Sequence, residues 1–244
     1  TESQSRVNGS EQENASADSQ KLQIVATIFP EYDWVKEILG DQAENVDLTL
    51  LLGNGTDMHS FQPTMEDILK VSTCDLFIYV GGESDSWVAD ALKGAGNPDR
   101  KAINLMDVLG DQVKEEEIVE GMQEEDGHTH EEEHTHDDEL EYDEHVWLSL
   151  KNASLFCDTI ASSLADADPE HSQLYQQNAE AYEEKLAALD QEYQTSVEKS
   201  RSKTLLFADR FPFRYLIDDY NLTYYAAFAG CSAETDASFE TITF

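Results

Sequence analysis

Between Gly127 and Leu148 the chain reads GHTHEEEHTHDDELEYDEHVWL. His128, His130, His134 and His136 sit among carboxylates there, and His145 opens the apolar segment that follows. Imidazole nitrogens and carboxylate oxygens are the donors taken by zinc and its divalent neighbours. A stretch this polar cannot bury enough apolar surface to offset its ordering entropy, so it reads as a mobile loop. A mobile, anionic, polydentate loop reads as an auxiliary metal collector. The plainer alternative is a solvated acidic insertion with incidental histidines.

Three positions outside that loop carry donors. His59, in Asp57-Met58-His59, lies on the loop leaving an expected strand at its carboxyl end, where ligands bind in α/β sheets. His145 lies where the polar loop meets Val146-Trp147, so its backbone is expected to be fixed, as a primary ligand requires. Asp209, at the end of the run KTLLFAD, offers an oxygen. Its neighbour Arg210 cannot coordinate a cation, because its guanidinium has no free lone pair and stays protonated.

Composition limits what such a site can serve. The 244 residues suffice for two compact domains or one large one. The formal charge of -37 excludes nucleic acid as a partner and favours cations. No apolar run is long enough to span a bilayer, and no signal-peptide core is present. The chain therefore reads as cytosolic or as a mature exported form. Cys74, Cys157 and Cys231 are too few and too widely spaced for a cysteine-rich structural zinc site, and at most one disulfide can form. Cys74 and Cys157 read as small buried hydrophobes, leaving Cys231 as the reactive or paired one.

The elements that must hold these donors follow from the apolar runs. LQIVATIF, VDLTLLL, DLFIYV and KAINL read as strands, separated by helices over PEYDWVKEILG, PTMEDILKVS and SWVADALKG. That alternation predicts an α/β fold with parallel sheet and flanking helices. After the acidic loop (residues 114–144), VWLSLKNASLFCDTIASSLA reads as a helix broken near Asp168-Pro169. A long helix follows from about Ser172 to Arg201, roughly 40 Å at 1.5 Å per residue. Its stripe of Tyr175, Ala179, Tyr182, Leu186, Leu189 and Tyr193 is expected to be core. KTLLFAD and LTYYAAF read as two further buried strands. The expected organisation is a disordered tether over residues 1–20, a first lobe over 21–171, a linker helix over 172–202 and a second lobe over 203–244. With so few elements, that second lobe is expected to be incomplete.

MHSFQPT (Met58 to Thr64), DEHVWLSLKNA (Asp143 to Ala153), the NAEAY helix and Phe213-Arg214-Tyr215 resemble, in order and spacing, the cluster A-I zinc and manganese solute-binding proteins of ABC transporters. The likeness runs from about Leu22 to Phe244. The acidic histidine loop resembles the zinc branch more than the manganese branch. The resemblance implies two α/β lobes joined by one long helix, with metal in the cleft between them. It implies His59 and His145 as the first two ligands. Its third ligand position falls on Arg210, so either Asp209 takes over or Arg210 pairs with an acid and the site closes differently.

The function expected is an extracellular receptor, cell-surface or periplasmic and lipid-anchored upstream, that captures Zn2+ and passes it to an ABC permease. A monomer that is not an enzyme is expected. From His136 to His145 the tether spans roughly 15–20 Å, so metal held on the loop stays near the cleft. A manganese or iron receptor is the alternative within the family. A surface adhesin or passive metal buffer stands outside it, as does a zinc metallohydrolase with Glu144 as base, although no HExxH motif is present.

Overall fold

Short runs rich in Ile, Leu and Val, each ending in small or polar residues, form the strands, and amphipathic segments between them form the helices. The computed structural model of the chain describes residues 21–53, 55–94, 96–123, 141–232 and 237–244. The expected tether over residues 1–20 and the loop histidines His128, His130, His134 and His136 lie outside the described residues. β1 (Leu22–Ala26), β2 (Val46–Leu50), β3 (Leu76–Tyr79) and β4 (Lys101–Asn104) form one parallel sheet in the order β2-β1-β3-β4. Ile24 pairs with Leu48 on one side and Leu76 on the other. The crossovers contain α1 (Phe29–Leu39), α2 (Met65–Thr73) and α3 (Val88–Lys93), and α4 (Leu105–Leu109) follows β4. All four strands therefore end on one edge, where such sheets collect ligands.

Period-two alternation sends successive strand residues to opposite faces. Ile24, Ile78 and Ile103 join Trp34, Ile38, Phe156, Ile160 and Leu164 in a core with α1 and α5 (Leu150–Ala167). Val25 and Phe77 pack the other face with Val71 and Val88. Cys74 and Cys157 are fully buried in these two layers, as small hydrophobes. Glu31 is buried at the head of α1, where its Oε2 accepts from Thr27 N at 2.8 Å and Ile28 N at 3.1 Å. Burial pushes that carboxyl up to about 8 despite these donors.

The long helix α6 (Ser172–Lys199) has 28 residues, about 42 Å of rise. Its expected continuous buried stripe holds only in the first half. Tyr175, Ala179 and Leu186 are buried in the main core, whereas Leu189 and Tyr193 are each 42% exposed. Past Leu186 the helix has left the first sheet's core and meets the second unit at its edge. There Tyr193 stacks on Tyr220, with centroids 5.5 Å apart, and the Tyr220 hydroxyl donates to Asp190 Oδ1 at 2.8 Å.

β5 (Thr204–Phe211) and β6 (Thr223–Ala229) pair in parallel around α7 (Arg214–Asp219). Phe211, Ile217, Tyr224 and Ala226 form their core with Met122, which comes from the segment ahead of the acidic loop. The expectation that both strands are buried fails for β5, where Leu206 is 79% exposed. Among the described residues only one face of this two-stranded sheet is covered. The short helix α8 (Phe239–Thr243) ends the chain.

Candidate metal centre

His59 is held by the turn on which it sits. The turn Met58–Ser60 starts at Asp57, whose Oδ1 accepts from His59 N at 3.1 Å. Downstream, Thr64 and Asp67 exchange side-chain-to-backbone hydrogen bonds at the head of α2, at 3.2 and 2.9 Å. Such reciprocal capping fixes where the loop must end. The His59 ring then places Nδ1 3.0 Å from Ser84 Oγ, just beyond the end of β3.

His145 is fixed from both sides of the acidic loop. Glu115 and Tyr142 form an antiparallel bridge, and Asp143 N donates to Lys114 O while Glu116 N donates to Glu141 O, each at 2.9 Å. The two ends of the loop thus leave and return along one short ribbon. Asp143 Oδ1 accepts from His145 N at 2.8 Å and lies 3.0 Å from His145 Nδ1. Beyond the ring, Val146 is fully buried and Ser149 caps α5 by accepting from Asn152 N at 3.1 Å. The second unit braces this turn: Tyr215 Oη donates to Asp143 O at 2.8 Å and Ser149 Oγ to Asp219 Oδ2 at 2.6 Å.

These constraints bring the two imidazoles together. His59 Nε2 and His145 Nε2 are 3.3 Å apart, although the residues lie 86 positions apart in sequence. A carboxylate only accepts, so Asp143 assigns the His145 proton to Nδ1 and leaves a lone pair on Nε2. His59 Nε2 faces that lone pair, and either one proton or one cation fits between the two nitrogens. Two nitrogens bound at about 2.0–2.1 Å to a tetrahedral zinc lie about 3.3–3.4 Å apart. The observed 3.3 Å fits a zinc ligand pair, and in the absence of metal it also fits an N–H···N hydrogen bond between the rings.

Negative charge backs the pair. Glu144 is buried, and its Oε1 accepts from Ser84 N at 2.9 Å. Its Oε2 lies 3.7 Å from His59 Nδ1, too far for a hydrogen bond, and has no hydrogen-bond partner. Gly82 permits this approach: at φ +75° it adopts a left-handed backbone, and a Cβ there would fall 2.3 Å from Glu144 Oε1. Burial, then the nearby His145, hold the His59 imidazole below its ordinary range, so it stays neutral and ready to coordinate.

The third expected donor is elsewhere. Asp209 is exposed, and its Oδ1 accepts from Arg210 N at 2.8 Å. The strand does not stop there, as the sequence suggests, but runs to Phe211 with a register irregularity between Phe207 and Arg210. Asp209 sits at that irregularity and is not among the donors gathered with His59 and His145. Arg210 pairs with an acid, its Nη1 lying 3.3 Å from Asp57 Oδ2. Sequence reasoning did not place Cys231 in the site. The structure brings its Sγ together with His59 and His145, the three donor atoms lying within 4.8 Å of one another. Burial and the neighbouring Glu116 raise this thiol well above its ordinary range.

His59, Glu144 and Cys231 border a cavity of about 1230 Å³ between the two sheets. Glu83, Asp90, Glu116 and Glu141 line it, so its walls attract cations. Both ends of the acidic loop reach this cavity, through Glu116 and Glu141. Removing Asp143 tests how the site is held. Asp143→Ala should weaken zinc binding by about 10–100-fold, with a smaller loss for Asp143→Asn, in a competition titration against a chelator. Equal affinity in Asp143→Ala and the parent would show that His145 is oriented by other contacts.

The family model described as zinc-uptake complex component A, periplasmic, matches residues 24–244. The zinc-binding lipoprotein AdcA of Streptococcus pneumoniae (strain TIGR4) is 34% identical over 218 residues, 89% of this chain and 41% of that protein. The high-affinity zinc uptake system protein ZnuA of Bacillus subtilis (strain 168) is 32% identical over 232 residues, 94% of this chain and 68% of that protein. The crystal structure of Zn(II)-bound AdcA from Streptococcus pneumoniae is similar with a TM-score of 0.67 at 28% identity, covering 91% of this chain and 42% of that one. The chain thus spans about two fifths of the length of AdcA and about two thirds of that of ZnuA.

Proposed function

We propose, given that the chain belongs to the zinc-uptake complex component A family, that it is a solute receptor which captures Zn2+ in the cleft between its lobes and delivers it to an ABC permease outside the cytoplasmic membrane. His59 and His145 are the ligands on which this reading depends. The observation that carries it is the 3.3 Å approach of their Nε2 atoms, a spacing that fits a tetrahedral zinc pair. Residues 21–171 and 203–244 act as the two lobes, with residues 172–202 joining them. Among the described residues no helix is long and apolar enough to cross a membrane. The manganese alternative favours oxygen donors, whereas the donors gathered in the cluster are two imidazoles and a thiol, with Asp209 exposed outside it and the Glu144 carboxylate 3.7 Å from His59 Nδ1. We assign no hydrolytic role, and zinc-loaded protein is expected to leave ester and peptide substrates intact.

The loop histidines His128, His130, His134 and His136 serve as a collector that raises metal concentration at the cleft mouth. Deleting residues 124–140 retains Glu141 and its bond to Glu116 N. This variant should keep one tight zinc equivalent in a chelator competition and capture zinc more slowly at low metal. The difference should shrink as salt rises. Loss of every tight equivalent on deletion would place the capture site in the loop and end the cleft reading.

A further inference from the structure

We propose that Cys231 is the third metal ligand of the cleft, so that His59, His145 and the Cys231 thiolate form a His2Cys site. This rests on the capture reading above and names the donor that Arg210 cannot be. The three donor atoms lie within 4.8 Å of one another. In a tetrahedral zinc site, sulfur at about 2.3 Å and nitrogen at about 2.0–2.1 Å are roughly 3.5–3.6 Å apart, so only a small inward movement completes the triad. Cys231 has no disulfide partner, because Cys74 and Cys157 are buried in the first lobe.

The chain builds the turn carrying Cys231 against the histidines. Cys231 N donates to Glu116 Oε1 at 2.9 Å, which ties it to the ribbon that fixes His145. At the preceding Gly230 a Cβ would fall 2.8 Å from Phe211 O and 3.2 Å from His145 Cε1. Any side chain there would push the turn off the imidazole. Arg210 closes the arrangement from the other side. Its Nη1 lies 3.3 Å from Asp57 Oδ2, beside His59, and 3.5 Å from Ser232 O, beside Cys231. Arg210 is thus a positioning residue that clasps two ligand-bearing loops across the cleft. The unpartnered, buried Glu144 Oε2 behind His59 adds the negative charge that a bound cation would offset.

On capture the thiol binds as thiolate and its proton passes to solvent. A thiolate donor favours zinc over manganese, which prefers oxygen. Cobalt(II) is the test metal, since thiolate ligation gives a near-ultraviolet charge-transfer band that imidazole and carboxylate do not. Residues 124–140 contain no cysteine, so the full chain can be used. Cobalt-loaded protein should show the band, and Cys231→Ser should lose it while keeping the weaker visible bands. The same variant should bind zinc at least roughly tenfold more weakly, since direct ligation is worth no less than a supporting contact, and its preference for zinc over manganese should narrow. Cobalt bound in the cleft, removed by His145→Ala but showing no charge-transfer band, would overturn the proposal and leave the receptor reading intact. A chain with no cleft-bound cobalt at all would overturn both.

Discussion

Replacing His145 with alanine is expected to abolish tight zinc capture, weakening the cleft site by more than about 100-fold. Loss of a supporting hydrogen-bond partner to a ligand already costs about 10–100-fold, and here the donor itself is lost. The variant also removes the ring contact to the buried Asp143 Oδ1, which keeps the backbone N–H of residue 145 as its donor. One lost hydrogen bond costs about 0.5–1.5 kcal/mol of fold stability, and the packing of a buried ring goes with it, so His145→Ala is paired with a second variant. His59→Ala provides the control. His59 is less buried, and its backbone bond to Asp57 survives the substitution. Both variants should lose the one tight equivalent in a chelator competition, and His59→Ala should retain the parent's melting temperature in the absence of metal. Retention of tight binding in either variant would remove that histidine from the site.

The second large effect is on pH. Zinc binds neutral imidazole and deprotonated thiol, so protons are released on capture and acid opposes it. An ordinary imidazole titrates near about 6.5, and each one that must lose a proton lowers affinity about tenfold per pH unit below its pKa. His59 is held below the ordinary range by burial and by His145, so its contribution begins at lower pH than that of a free imidazole. The raised Cys231 thiol must also give up a proton, which adds a tenfold step per unit throughout this range. Affinity should therefore fall by roughly 100-fold or more between about pH 7 and pH 5, measured by competition with a chelator of known proton dependence. A flat profile over that interval would mean that neither thiol nor imidazole loses a proton on binding.

Much of this architecture was legible because local patterns agree with the fold. The first four strands are short Ile, Leu and Val runs whose carboxyl ends share one edge, and that topology gave His59 its significance before any contact was known. His145 was legible because an apolar turn, Val146 to Leu148, abuts the polar loop. What the sequence hid depended on long-range packing. The stripe on α6 has one uniform pattern, yet only the part from Tyr175 to Leu186 finds a core, since neighbours are decided by tertiary contact. β5 looks apolar at Leu205 and Leu206, but the sheet has just one covered face among the described residues. Asp209 reads as the end of a strand in the sequence, whereas β5 continues to Phe211 past a register irregularity that has no sequence signature of its own. Cys231 stood out only as a cysteine beside Gly230 at a strand's carboxyl end. Its place beside the histidines depends on Glu116 and Arg210, which are distant in sequence.

The most direct test of the account is a crystal of the chain loaded with one equivalent of zinc, with diffraction measured on both sides of the zinc absorption edge. An anomalous peak about 2 Å from both His59 Nε2 and His145 Nε2 is the predicted result. A peak absent from the cleft, with zinc found elsewhere on the chain, would contradict it.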